Sequence, residues 1–218
     1  MEKQKKVFKN EIKYNVTLNE EQKEAKAIIR SHQIVVITGR AGCGKSLVSA
    51  QTALDFLFKK EYDEIYVTRA AVEVGHSLGF LPGSLSEKFD PYLEAFKENL
   101  IKCYDKVKIE ELIRDEKVKA LPVQFIRGKT VDQILIVEEA QNLTKAEMLA
   151  VLTRLGKSGK IIINGDNEQK DIKDQYNGLS YIIDLAKKFP EDIKWIKLKH
   201  NHRSDLVGKI LDYEYSGK

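Results

Sequence analysis

IVVITGRAGCGKS, residues Ile34 to Ser46, joins an unbroken β-branched run, a glycine-rich turn and the opening of a helical pattern. The run Ile34 to Thr38 has no polar position alternating with its apolar ones, so it reads as a strand buried on both faces. From Lys45 to about Lys59, residues Leu47, Val48, Leu54, Leu57 and Phe58 recur at helical spacing. Between strand and helix, Gly39-Arg40-Ala41-Gly42-Cys43-Gly44-Lys45-Ser46 satisfies G-x-x-x-x-G-K-[ST] in the strand-turn-helix context that the pattern requires. The glycines let the backbone curl until several amide N–H groups point inward, and the helix start adds the positive end of its dipole. Lys45 brings a mobile cation to the β- and γ-phosphates, and Ser46 a hydroxyl ligand for magnesium. These residues, together with Leu47 in the first helical turn, are expected to bind a nucleoside triphosphate, namely ATP with Mg2+.

Outward from this stretch, helical and apolar segments alternate. A helix is predicted from about Leu18 to Arg30, a strand from Ile65 to Thr68, and apolar runs at Pro122 to Ile126 and Ile134 to Glu138. A helix from Lys145 to Leu155, a strand from Lys160 to Ile163 and a helix near Leu179 to Lys188 follow. The last pair is Ile193 to Leu198 and a helix from Asp205 to about Tyr213. Buried strands separated by helices imply right-handed crossovers into a mostly parallel sheet sandwiched by helices, an α/β fold. No repeat or linker divides the chain, so residues 16–218 read as a single domain behind a basic tail, residues 1–15.

Composition excludes some classes. Apolar residues make up 42% and charged residues 32% of 218, and no apolar run approaches the roughly 18 residues of a membrane span. The lysine-rich start has no apolar stretch behind it, so a secretory signal is not expected and a cytoplasmic location is. Cys43 and Cys103 read as free thiols, since a disulfide at Cys43 would tie down a ligand-binding turn. The net charge of +4 neither demands nor excludes a nucleic-acid partner.

Hydrolysis needs a held metal and an aimed water. In ILIVEEAQN, Glu138 ends a strand and is the candidate magnesium ligand, and Glu139 is the candidate for polarising the attacking water. Thr144 and Glu147 form a capping box, which stops the strand near Glu138 and sets the acidic pair at the carboxyl edge of the sheet. That strand is expected to neighbour the one feeding the glycine-rich turn. Gln141 is a candidate γ-phosphate sensor, as are Asp166 and Gln169 of Gly165-Asp166-Asn167-Glu168-Gln169 after the next strand. Gln22 offers a two-sided amide to an adenine edge, or is an ordinary solvent-facing glutamine. Arg203 is either a cation for the transferred phosphoryl group, acting across a subunit boundary, or a surface arginine. His200 and His202 lack the Cys/His partners a metal site would need.

With these residues in view, the chain resembles the PhoH-like proteins, phosphate-starvation-associated ATPases of bacteria and their phages. The resemblance runs through TRAAVEVGHSLGFLPGSLSEKFDPYLEAF (Thr68 to Phe96), PVQFIRGKT (Pro122 to Thr130), EEAQNLTKAEMLAVLTRLG (Glu138 to Gly156), GDNEQ and NGLS, about nine-tenths of the chain. VEVGHSLGFLPG is its most specific part, because no general phosphate-binding argument predicts it. The resemblance implies a RecA-like P-loop NTPase core like the first motor domain of superfamily-one helicases. It further implies adenosine specificity, ring-shaped homo-oligomers such as hexamers, and action on RNA or single-stranded nucleic acid. By analogy with those motors, Arg69 and Arg127 near strand ends would face a nucleic-acid path or a neighbouring subunit, structural ion pairs being the alternative. The family usually has Asp-Glu-Ala-Gln where this chain has Glu138-Glu139-Ala140-Gln141, and proline and threonine where it has Arg40 and Cys43. The longer Glu138 points to reduced turnover, or to a slow nucleotide-dependent switch in place of an active motor.

Overall fold

The computed structural model describes residues 12–70, 85–169 and 176–202, with residues 206, 207, 209, 210 and 213. In chain order its elements are α1 (Glu20–Ser31), β1 (Ile34–Thr38), α2 (Lys45–Phe58), β2 (Ile65–Arg69), α3 (Leu85–Cys103), α4 (Lys106–Arg114) and β3 (Val118–Ala120). Then come α5 (Val123–Ile126), β4 (Ile134–Glu138), α6 (Lys145–Leu152), β5 (Lys160–Gly165), α7 (Gly178–Lys188) and β6 (Ile193–Lys197). The strands form one six-stranded sheet in the order β3-β2-β4-β5-β1-β6. Every pairing in it is parallel.

The apolar runs are buried on both sides. Successive side chains of a strand point to opposite faces. Val35 and Ile37 of β1, Ile134 and Ile136 of β4, and Ile162 of β5 join a core with Leu54 and Phe56 of α2 and Phe96 and Leu100 of α3. Val36, Leu135, Val137, Ile161 and Ile163 join a second core with Met148 of α6 and Leu179 and Ile182 of α7. β1 therefore sends its chain to α2 on one face, while its neighbour β5 leads to α7 on the other. Adjacent strands whose connections part in this way leave a crevice at their carboxyl ends, where open α/β sheets take their ligands.

The helix start predicted at Thr144 is present, and a second cap appears at Asn177. Thr144 caps α6 reciprocally with Glu147, with Thr144 N–H to Glu147 Oε2 at 2.8 Å. Asn177 caps α7 through Ser180 N–H at 2.9 Å.

Two expectations need correction. Pro122 to Ile126 is not a strand: Pro122 opens the short helix α5, whose Val123 and Ile126 are buried while Phe125 is exposed. The strand is the short β3 just before it, and Arg127 accordingly follows a helix. In addition, β4 does not neighbour β1, because β5 lies between them. Local apolar pattern marks a strand as buried but says nothing about which strand lies beside it. The stretch Val72 to Gly83, the basic tail up to residue 11 and Arg203 lie outside the described residues, as does part of the helix expected at Asp205 to Tyr213. Among the described residues no helix is long and apolar enough to cross a membrane.

Candidate nucleotide-binding site

At the carboxyl ends of β1, β4 and β5 lies a cavity of about 450 Å3, lined by the loop from Ala41 to Leu47 and by Glu138, Glu139, Asn164 and Gln169. The loop takes its shape from positive-φ glycines: Gly39 at +150°, Gly42 and Gly44 at +87°. At Gly39 any Cβ would also collide with the Leu198 carbonyl and meet Cys43 Sγ at 2.7 Å, so only glycine fits. Gly44 stands at the N-cap of α2 with no side-chain cap, and the first turn of that helix, Lys45 to Leu47, lines the cavity. Lys45 Nζ donates to the Gly39 carbonyl at 2.5 Å and to that of Arg40 at 3.4 Å, which keeps the ammonium inside the loop's curl.

Opposite the loop, Ser46 Oγ donates to Glu138 Oε2 at 2.7 Å. Asn164, at the end of β5, donates to the other carboxylate oxygen at 2.8 Å and accepts from Ser49 Oγ of α2 at 3.0 Å. The intervening strand thus bridges β4 to α2. Burial pushes the Glu138 carboxyl above the usual range; the bonds from Ser46 and Asn164 oppose the rise and the neighbouring Glu139 adds to it. Sequence reasoning passed over Asn164, although an asparagine ending the run Ile161 to Ile163 is a signal, since a polar group buried in a sheet needs designated partners.

Glu139 follows in the left-handed region, φ 51° and ψ 46°, a conformation that a non-glycine residue keeps only when its surroundings hold it there. Gln141 supplies the hold. Its Nε2 donates to Glu139 Oε2 at 2.5 Å and to the Gln169 carbonyl at 3.2 Å, while its Oε1 accepts from Asp166 N–H at 2.9 Å. Gln141 is fully buried, so in place of a phosphate contact it couples Glu139 to the turn after β5. Gln169 reaches the cavity wall, but Asp166 does not line this cavity. Asp166 Oδ1 accepts from Glu168 N–H at 3.0 Å, Oδ2 is buried without a hydrogen-bond partner among the described residues, and burial raises this carboxyl against the pull of the Glu168 N–H and the Lys45 charge.

The remaining candidates occupy distinct places. Arg40 pairs with Glu168 at 2.9 Å across the top of the loop. Cys43 and Cys103 are buried free thiols, and burial raises the Cys43 thiol's pKa while Lys45 opposes that rise. Gln22 is 2% exposed and its amide is already engaged, with Oε1 accepting from Asn19 N–H at 3.0 Å and Nε2 facing the Cys43 carbonyl at 3.3 Å. It is a strut beneath the loop in this geometry, because a glutamine at the third position of a capped helix folds back on the cap. Arg69 ends β2 in register with Glu138 and lines a small adjoining cavity, its Nε buried without a hydrogen-bond partner among the described residues. Arg127 is exposed, and neither arginine forms an ion pair among the described residues. His200 and His202 stand ring to ring at 4.8 Å, and no cluster of three or more His, Cys, Asp or Glu residues suited to a metal occurs among the described residues. Asn99 and Lys102 of α3, which no local pattern singles out, and His202 also line the cavity wall.

The family model described as PhoH-like protein matches residues 16–214. Protein PhoH of Escherichia coli (strain K12) is 39% identical over 178 residues, 80% of this chain and 49% of that protein. The PhoH-like protein of Synechocystis sp. is 36% identical over 181 residues, 82% of this chain and 54% of that one. The chain spans about half the length of these relatives. Among solved structures, the large terminase of a thermophilic bacteriophage superposes with a TM-score of 0.57 at 10% identity, over 93% of this chain and 51% of that one. That terminase is also solved in complex with ADP and with ATP-gamma-S. At such identity the likeness is one of fold, a RecA-like P-loop core.

Proposed function

The chain belongs to the PhoH-like protein family, and from that premise we propose that it is a magnesium-dependent ATPase acting on RNA or single-stranded nucleic acid. One observation carries the reading: Ser46 and Glu138 meet at 2.7 Å on the floor of a cavity whose roof is a glycine-rich phosphate loop. The ADP and ATP-gamma-S held by the terminase of like fold support a nucleotide as the occupant.

The donor set suits magnesium. A serine hydroxyl and a carboxylate oxygen are hard oxygen ligands within contact of each other, and magnesium prefers such ligands alongside substrate phosphates. Ser46 and Glu138 would hold the ion, which when bound draws charge from the phosphate oxygens. The chain's own groups do the rest. Loop amides and the α2 start bind the phosphates, and Lys45 neutralises them. Glu139 orients the attacking water and takes its proton, with Gln141 fixing its carboxylate. Gln169 at the cavity wall senses the γ-phosphate, and Asp166, one residue before that short turn, sets the turn's geometry. Arg203 supplies the cation for the transferred group, from a neighbouring subunit of a ring-shaped homo-oligomer. Arg69 and Arg127 face the nucleic-acid path or that neighbour. Residues 16–218 act as one domain, in the cytoplasm.

The test is phosphate release by purified protein and its Lys45→Ala variant, with and without single-stranded RNA and DNA at several salt concentrations. Wild-type turnover raised several-fold by strands, and falling with salt, supports the reading. ATP binding no tighter to wild type than to Lys45→Ala sinks it. Turnover that is slow and indifferent to strands leaves the nucleotide switch, the outcome that Glu138 in place of aspartate would favour.

A further inference from the structure

The start of α1 carries a reciprocal cap. Gln22 N–H donates to Asn19 Oδ1 at 2.9 Å and Asn19 N–H to Gln22 Oε1 at 3.0 Å. A backbone N–H can be met only by an amide oxygen, so these bonds fix which way round both side-chain amides stand. Their NH2 groups are consequently turned away from the helix, and both face the same atom, His202 Nε2, at 3.1 Å each. Two donors converging on one ring nitrogen need its lone pair. These contacts call for Nε2 as the accepting nitrogen, with the ring proton on Nδ1.

This junction also holds the phosphate loop by its backbone. His202 N–H donates to the Gly42 carbonyl at 3.0 Å, and Gln22 Nε2 donates to the Cys43 carbonyl at 3.3 Å. In a planar trans peptide the C=O and the next N–H point in opposite directions. Holding the Cys43 carbonyl toward Gln22 therefore turns the Gly44 N–H the other way. Gly42 and Gly44 have little conformational preference of their own, so their shape must be imposed. The segment bearing His202 is itself pinned, because Glu21 accepts from Lys199 N–H at 2.9 Å and His200 N–H at 3.2 Å, bonds that hold its carboxyl below the usual range.

We propose that His202 is a positioning residue for the phosphate loop: through the lone pair on Nε2 it locks Asn19 and Gln22 against Gly42 to Gly44 and so presets the loop for a nucleoside diphosphate or triphosphate. The proposal rests on the nucleotide reading above. It assigns work to a residue that neither phosphate motif contains.

Nitrogen-15 correlation spectra of histidine-labelled protein, without nucleotide, report the tautomer of each of the four imidazoles, and a His202→Phe variant assigns the signal. The expected result is a bare Nε2 and a protonated Nδ1 for His202. In calorimetric titration with ADP, His202→Phe keeps the ring and loses the acceptor, and Kd should rise about ten-fold. His202→Gln returns an oxygen near the place of Nε2 and should recover most of that loss, with KM for ATP following Kd and kcat nearly unchanged. A proton on Nε2, or ADP affinity in His202→Phe equal to wild type, overturns the proposal. Should His202→Phe fail to fold, the wild-type spectrum and His202→Gln still decide it. Wild-type protein that binds no ADP would sink the nucleotide reading instead, and the two failures are separable because the tautomer is read without ligand.

Discussion

Gln141 sits, fully buried, between the water-activating candidate and the turn after β5, so on the proposed mechanism its replacement should change rate and leave affinity alone. Replacing it with leucine preserves volume but frees Glu139 from a 2.5 Å bond. The expected outcome is kcat lower by about 10² with ADP affinity unchanged, read from steady-state kinetics beside calorimetry. Glu139→Gln should cost as much, and the double variant little more than either alone, since both changes remove one function. Additive losses would separate the pair. Here the sequence was legible in part: ILIVEEAQN names the residues, yet the same string is compatible with Gln141 pointing at a phosphate. Only the packing of Gln141 under the Asp166 N–H excludes that direct contact from this geometry. Gln22 is the same case, because its engagement with Cys43 and His202 joins residues more than twenty positions apart.

Helix ends are where the element scale becomes measurable. Thr144→Ala removes a capping box with good geometry at the start of α6, and a loss of about 1 kcal/mol is expected by denaturant unfolding. At the far end of α1, Lys160 of β5 donates to the carbonyls of Ile29 and His32, although it is 4% exposed. Burial lowers its pKa to about 8, with the Arg30 charge adding to the effect and Glu61 opposing it. The unfolded chain keeps that proton to roughly pH 10.4, so between the two values the unfolded state binds more protons and stability rises with pH. The rise should amount to at most about 3 kcal/mol between roughly pH 8 and 10.5, and Lys160→Met should flatten it. Identical pH profiles in the two proteins would remove Lys160 as the cause. Elements of this kind were largely readable beforehand: the capping box at Thr144 and the strands at Ile34, Ile134 and Lys160 depend on neighbours in sequence. The run at Pro122 misled because a short apolar string fits a strand and a buried helical turn equally well.

For the molecule as a whole, ligand linkage gives a direct check. ADP with magnesium should raise the melting temperature of wild type in proportion to the logarithm of its concentration and leave Lys45→Ala unmoved. If Arg203 acts across subunits, Arg203→Ala protein should bind nucleotide without turning it over. Mixing it with Lys45→Ala subunits should then restore phosphate release, because each supplies what the other lacks. No gain on mixing, with full turnover retained by Arg203→Ala, would confine catalysis to one chain.

The amino-acid sequence alone determined the phosphate loop, the buried strands and the edge of the sheet at which the acidic residues end. Those properties follow from short-range rules: glycine's freedom at positive φ, the period of a buried strand, and the reciprocal bonds of a helix cap. Tertiary structure decided the rest. It inserted β5 between β1 and β4, gave Asn164 to Glu138, turned Gln141 and Gln22 inward, and brought His202 onto the loop across 158 or more positions from Gly44. Strand order is set by how whole faces of helices and sheet fill a common core, and no local pattern encodes which distant residue will then stand at an unpaired donor.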